Sequence, residues 1–349
     1  MNRLKGASMF SSSGIAELYF KQIGIDILIA NELLKKRADL YKFLYPDTKV
    51  LVGDIKSEEL FRDFLSTVKE ERCNFLIATP PCQGMSSLGK KDYDNDERNY
   101  LIFKVFDVID SHNFDYILIE NVPKFLKLYF PYNNEPKTLL EICKDKYSKD
   151  YVIESAILNA ADYGVPQSRP RGFIKIYRKG LSWAWPNKTE RINLKQAIGD
   201  LPELESGEDS GIKWHYAKSH NEREIIAMRH TKAGESALKN ELHYPRTVDG
   251  RRVKGFHNTF KRMRWEDPSP ARAKNSGNIG GHNNVHPGRL RSDGTVSDAR
   301  VLTLRELFIV SSIPADIDMP EWCTDNFIRT VIGEAIPPKF CMKIVETLF

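Results

Sequence analysis

Three places in the chain set reactive side chains beside apolar runs. Residues 75–89 read "FLIATPPCQGMSSLG": the run Phe75–Ala78 stops at Pro80-Pro81, and a thiol, Cys82, follows at once. Proline fixes φ and donates no backbone N–H, so the pair ends a strand and stiffens what comes next. The stretch fits a loop that presents a nucleophile at a sheet edge. It equally fits a turn with a small buried cysteine. "DYILIE" sets Glu120 directly after another apolar run, where a carboxyl is placed to donate a proton beside a thiol. "GVPQSRPR" carries Arg169 and Arg171 at alternating positions. On an extended segment both point to one side and suit a phosphate or carbonyl oxygen, and a surface strand with solvated arginines has the same pattern.

These residues need a scaffold, and the first half of the chain predicts one. "SMF" is strand-like and leads into the turn "SSSG"; "IAELYFKQIG" has helical spacing to Gly24; "IDILIA" is a strand ended by Asn31-Glu32. "LLKKRADLYKFLY" is helical until Pro46, "KVLVGDI" a strand, and "SEELFRDFLSTVKEE" a helix opened by Ser57. "NFLIA" and "DYILIE" are strands on either side of the helical "YLIFKVFDVIDSH". Short apolar strands between amphipathic helices predict a parallel sheet covered on both faces, a doubly wound α/β domain with ligands beyond the carboxyl ends of its strands. Glu32 and Asp54 fall at such ends, where an acid meets ribose hydroxyls or simply caps a helix.

The pattern dissolves after about residue 180. "LPELESGEDSG" reads as a surface linker, and 212–298 is rich in Gly, His, Arg and Asn without regular periodicity. Helical spacing returns in "TLRELFIVSSI" and "PPKFCMKIVETLF". Residues 212–291 hold 17 Lys+Arg and 7 Asp+Glu, a charge of +10 in a chain of net +5, so the remainder is acidic. Seven of the eight histidines lie there too. A basic block in an acidic chain fits a polyanion partner, and it fits a solvated basic surface as well. Within it, Arg246, Arg251, Arg252, Arg262 and Arg264 form a pool of possible base readers. The spacing of His282 and His286 in "HNNVH" would suit a metal on a helix, but the flanking Gly and Pro argue for a loop, and no metal site is expected. None of the five cysteines forms a CxxC pair, and their odd number argues against a complete disulfide framework. No apolar run reaches membrane length and no signal peptide is evident, so a cytoplasmic protein is expected.

In this order the stretches resemble the cytosine-C5 DNA methyltransferases: "FSSSG", Asn31-Glu32, "GDI", "PPCQG", "DERNYL", "ENV", "QSRPR", "RVLTLRE" and "IGEAIPP". The resemblance covers most of the chain outside 185–298 and implies a Rossmann-like S-adenosylmethionine methyltransferase fold, α/β with a doubly wound, mostly parallel sheet, and a smaller irregular target-recognition domain. It implies a catalytic domain over 1–185, a recognition domain over 186–298, and a C-terminal segment, 299–349, returning to the catalytic domain. Phe10, Ser11, Ser12, Gly14, Glu32, Asp54, Ile55, Pro81 and Leu101 would line the S-adenosyl-L-methionine pocket, closed by Glu334 and Ala335. Glu32 would take the ribose hydroxyls and Asp54 the adenine amino group. Cys82 would be the nucleophile and Glu120 the acid on the pyrimidine. Arg169 and Arg171 would hold the target nucleotide and the active-site loop.

The implied partner is double-stranded DNA, methylated at a short sequence on a flipped-out cytosine by a monomer in a restriction–modification system. A cognate restriction endonuclease sharing the site is the second implied partner, and the setting is the cytoplasm of a prokaryotic or phage-infected cell. The chain departs from the family in its serine-rich first loop, in Gly333-Glu334 where Gly-Asn is usual, and in the loose match "ELFIVSSIP". Three other readings stand beside this one: a tRNA methyltransferase of the same fold, a catalytically inactive DNA-binding protein, and a dinucleotide dehydrogenase. The last leaves "PPCQG", "QSRPR" and the basic block unexplained.

Overall fold

The computed structural model describes residues 3–81 and 97–349. Its strands are β1 (Leu4–Met9), β2 (Ile25–Glu32), β3 (Lys49–Val52), β4 (Phe75–Ala78), β5 (Tyr116–Asn121), β6 (Tyr129–Tyr132), β7 (Glu135–Thr138), β8 (Tyr151–Asn159), β9 (Gln167–Ser168), β10 (Pro170–Arg178) and β11 (Ser269–Pro270). The α-helices are α1 (Lys35–Leu44), α2 (Glu58–Glu70), α3 (Ile102–Ser111), α4 (Leu139–Tyr147), α5 (Leu194–Ile198), α6 (Glu222–Arg229), α7 (Leu304–Val310), α8 (Asp325–Glu334) and α9 (Pro338–Val345). The chain divides into two compact units. One comprises Met1–Asn159, Pro170–Asn187 and Cys341–Phe349, the other Ala160–Arg169 and Lys188–Phe340.

The first unit is built on a seven-stranded sheet in the order β3-β2-β1-β4-β5-β10-β8. Strands β1 to β5 run parallel, and β10 runs antiparallel to both β5 and β8. All four residues of β4 are buried, as expected of a central parallel strand covered on both faces. Strand order reverses between β1 and β4, so the turns leaving these two strands open a crevice at their carboxyl ends. Helix α2 starts at Ser57 with Glu58 and Glu59 in its first turn, where carboxylates meet the positive end of the dipole. One apolar cluster joins β1, β4 and β5 to α2, α3 and α4 through Leu76, Ile117, Phe64, Val105 and Ile142.

The helix expected over "IAELYFKQIG" is instead two 3-10 turns, Ile15–Glu17 and Lys21–Ile23. The Phe20 carbonyl accepts from the N–H groups of both Ile23 and Ile25, so the segment turns straight into β2.

The second unit has little regular structure and a small apolar core around Met228, Phe260, Val285 and Val301. Buried arginines hold its loops. Arg300 donates to Asp298 Oδ1 at 2.6 Å and to both oxygens of Glu306 at 2.7 and 2.9 Å. Glu306 also completes a capping box with Thr303 at the start of α7. Burial pushes Glu306 upward, but the neighbouring positive charge, chiefly Arg300, and the hydrogen bonds from Arg300 and Thr303 N–H together outweigh it and hold the carboxyl at about 2. His286 lies against Asp298 and Glu306, and burial drives its imidazole down to about 4. "LPELESGEDSG" is no linker: Leu204 is buried, its N–H donates to Asp298 and its carbonyl accepts from Arg300 Nε.

Candidate active site

The turn leaving β1 is tightly constrained. Phe10, Ser12 and Gly14 all have positive φ, at 59°, 49° and 72°. A Cβ on Gly14 would come within 2.4 Å of the Tyr45 ring, so only glycine fits there. Ser11 N–H and Oγ both donate to Asn31 O, and Tyr45 OH donates to Gly14 O at 2.6 Å. The Ser12 and Ser13 hydroxyls are buried without a partner among the described residues, an unusual state for polar groups.

Beside this turn, Glu32 closes β2 with its carboxylate almost fully buried. One oxygen accepts from Ser12 N–H at 2.9 Å and the other from Leu34 N–H at 2.8 Å. A carboxylate at the end of a strand is a group that a bound diol can meet. Asp54 is exposed after β3 and caps its own turn by accepting from Lys56 N–H at 2.9 Å. Ile55 is buried in the apolar cluster that Phe10 and Leu101 flank. The backbone therefore gathers Ser11, Ser12, Gly14 and Glu32, while apolar packing gathers Phe10, Ile55 and Leu101. This set of orphaned hydroxyls, a strand-end acid and apolar walls fits an amino-acid nucleoside such as S-adenosylmethionine.

A buried acid that the sequence reading passed over lies beneath the same turn. Glu17 accepts from Ser8 Oγ at 2.6 Å and from Tyr41 OH. Burial raises its carboxyl to about 7 despite those two bonds. Its signal was a charged residue among the apolar positions of "GIAELYF".

At the β4 exit, Pro81 is half-buried and Pro80 is fixed by Asn121, whose side-chain amide donates to the Pro80 carbonyl at 2.9 Å. Asn121 Oδ1 accepts from Val122 N–H at 2.8 Å, so the asparagine of "ENV" braces the proline turn from β5. Cys82 lies outside the described residues.

Glu120, next to Asn121, sits opposite Phe173 across the β5–β10 ladder. Arg171 is two residues from Phe173, so it shares that face on the diagonal. Its Nε stands 2.9 Å from Glu120 Oε1, with both side chains largely buried. The structure thus joins Glu120 and Arg171.

Arg169 is engaged within the second unit. Its guanidinium donates to Arg272 O at 2.9 Å, Gly333 O at 2.8 Å and Glu334 O at 3.2 Å. Glu334, the last residue of α8, is ion-paired to Lys274, and Ala335 caps the helix by donating to Val331 O. A Cβ on Gly333 would meet the Ala273 backbone at 2.4 Å, which explains the glycine before Glu334. Of the arginine pool, Arg262 is fully buried and donates to the carbonyls of Met228, His286 and Asp298. It is a structural group and no base reader. No cluster of three or more His, Cys, Asp or Glu capable of holding a metal occurs among the described residues.

Parallel strands reversing at β1/β4, with the serine turn and Glu32 at one side of the switch point and the Glu120–Arg171 pair at the end of β5, make up a Rossmann-like α/β site. The C-5 cytosine-specific DNA methylase profile matches residues 4–349, and the chain belongs to that family. It is a DNA cytosine-C5 methyltransferase, and this family draws its methyl group from S-adenosylmethionine. The chain is 44% identical to the Type II methyltransferase M1.HgaI of Avibacterium volantium, covering 99% of this chain and 98% of the relative. It is 28% identical to the Type II methyltransferase M1.HphI of Haemophilus parahaemolyticus, over 97% and 85% of the two chains. Among solved structures, the methyltransferase EhMeth of Entamoeba histolytica shares the fold at a TM-score of 0.68 and 15% identity, over 100% of this chain and 98% of that one.

Proposed function

We propose that this chain is the modification enzyme of a restriction–modification system, with Cys82 as nucleophile on a cytosine extruded from duplex DNA at a short specific sequence. Support comes first from the 2.9 Å Glu120–Arg171 pair beside the braced proline turn that precedes Cys82. Residues 1–185 with 299–349 act as the catalytic part and 186–298 as the recognition part. The enzyme works as a monomer in the cytoplasm, and a cognate endonuclease shares its site. Type II naming of the relatives and the absence of a membrane-length apolar helix among the described residues favour this setting.

Cytosine C5 is a weak nucleophile. Addition of the Cys82 thiolate to C6 puts electron density on C5 and divides one hard step into easier ones. Glu120, bonded at N3, stabilises the charge that develops on the ring, and Arg171 keeps that carboxyl in place. S-Adenosylmethionine, when bound, supplies an electrophilic methyl group. Glu32 holds the ribose hydroxyls and Asp54 the adenine amino group, while Phe10, Ile55, Pro81 and Leu101 exclude water. Ser11, Ser12 and Gly14 shape the turn around the methionine moiety. Loss of the C5 proton with β-elimination then frees Cys82. Arg169 holds the frame in which the target nucleotide docks.

The test is transfer of labelled methyl from S-adenosylmethionine to unmethylated duplex DNA and, in parallel, to bulk tRNA. Label is expected in DNA and absent with Cys82→Ala. Label confined to tRNA would overturn the proposal.

A further inference from the structure

Three of the most exposed apolar side chains of the described residues fall within fifteen positions: Leu242 is 87% exposed, Val248 86% and Phe256 72%. Between them the chain forms a short hairpin. Arg246 bridges Arg252 in antiparallel fashion, Val253 N–H donates to Pro245 O at 2.9 Å, and Thr247 N–H donates to Arg251 O at 2.9 Å. Gly250 N–H closes the turn on Thr247 O, and its φ of 81° is what a tight hairpin turn demands. The base is anchored, because Val253 packs on the apolar core of the second unit and Tyr244 OH donates to Val253 O. Its tip is not: Val248 stands in solvent.

The arginines of this hairpin are not equivalent. Arg246 donates to Gly250 O at 2.8 Å, and the Arg252 guanidinium lies 4.8 Å from the Tyr244 ring centre. Both brace the hairpin. The Arg251 side chain is 81% exposed, and its Nε stands 2.5 Å from Asp249 Oδ2. Asp249 is itself fixed by Thr247 Oγ1. A carboxylate fixed on Nε holds the guanidinium plane steady and leaves the outer fork for two further bonds. An ion pair this exposed adds little stability.

We propose that the Tyr244–Val253 hairpin is the base-reading element of the recognition segment, with Arg251 held by Asp249 for a guanine edge and Val248 set against a neighbouring thymine methyl. A two-stranded ribbon fits the major groove, arginine pairs bidentately with guanine O6 and N7, and apolar side chains meet the thymine methyl. Arg246, Arg251 and Arg252 against Asp249 give the hairpin a positive charge that suits DNA. The inference rests on the reading of duplex DNA as substrate.

The experiment is methyl transfer by the full-length protein to a randomised duplex pool, with the modified sites read by sequencing. Wild type is compared with Arg251→Ala, Arg251→Lys, Asp249→Asn and Val248→Ser, each checked for an unchanged melting temperature. Arg251→Ala should lose discrimination at one guanine by on the order of 10–100-fold, with Asp249→Asn losing less at the same position. Val248→Ser should relax a neighbouring position. A uniform drop over all sequences, with a salt slope lower by about one, would make Arg251 a phosphate contact and overturn the assignment. An unchanged site in all four variants would overturn it as well. A wild-type protein that methylates no duplex would instead remove the underlying substrate reading, and the hairpin assignment with it.

Discussion

The two units use charge in opposite ways. In the first, parallel ladders satisfy the backbone, the core is apolar, and functional polar groups are left to the strand ends, where Glu120, Arg171 and Glu32 stand. In the second, ladders are scarce and arginines are drawn inside to meet loop carbonyls. Arg262 and Arg272 are buried on such carbonyls, and desolvation pushes them down to about 9 and about 10. A basic segment is therefore not all footprint. Part of its charge is internal scaffolding, and only the exposed remainder is available to DNA.

The sharpest way to break this contrast is Arg300→Ala. It leaves Asp298 and Glu306 buried and unpaired, and the expected loss is about 3–5 kcal/mol by urea denaturation. A loss under about 1 kcal/mol would show that the second unit does not depend on its internal arginines.

Next, pH should move the units in opposite directions. Glu17, raised to about 7 by burial, binds its proton more tightly folded than unfolded. Its contribution is whole below about pH 4.5 and is lost as pH rises through 7, at a cost of about 3 kcal/mol. The groups around it, Tyr41, Tyr45 and Cys341, are raised by burial and stay protonated over that range. His286 and His220, both lowered to about 4 by burial, do the reverse. Their contribution is present above about pH 6.5 and is lost as pH falls towards 4. Hydrogen exchange resolved by peptide should show residues 4–44 loosening from pH 6 to 8 and 285–306 loosening from pH 6.5 to 4.5. Glu17→Gln should abolish the first change alone.

Smaller effects probe the strand ends. Arg171→Ala should slow methyl transfer about 100-fold by releasing Glu120, with Arg171→Lys recovering only part of it. Glu32→Gln should weaken S-adenosylmethionine binding about 10-fold by calorimetry, because the carboxylate also fixes the Ser12 turn. Binding unchanged in that variant would move the ribose contact elsewhere.

Most of the first unit was legible because apolar period and strand length report directly on a buried parallel sheet. β4 ends at Ala78, ahead of Pro80, and β5 carries Glu120 at its carboxyl end, as the apolar runs predict. What stayed hidden was long-range. Nothing in "QSRPR" says that Arg169 meets carbonyls more than a hundred residues away while Arg171 meets Glu120. Likewise Arg262 and Arg264 look alike in "KRMRW", and only the fold buries one and exposes the other. "RVLTLRE" carried its meaning locally: Arg300 and Glu306 pair with each other, six residues apart.

The three carbonyls held by Arg169 also bear on any exchange of specificity between relatives. A transplant of the whole 212–291 block would replace the loop that carries the Arg272 carbonyl, so the tie to Arg169 would survive only where the incoming backbone follows the same path. Cutting at the hairpin feet instead, near Pro245 and Val253, leaves every internal arginine with its own carbonyls and swaps only the solvent-facing tip. The architecture thus separates a replaceable reading head from a frame that has to be inherited whole.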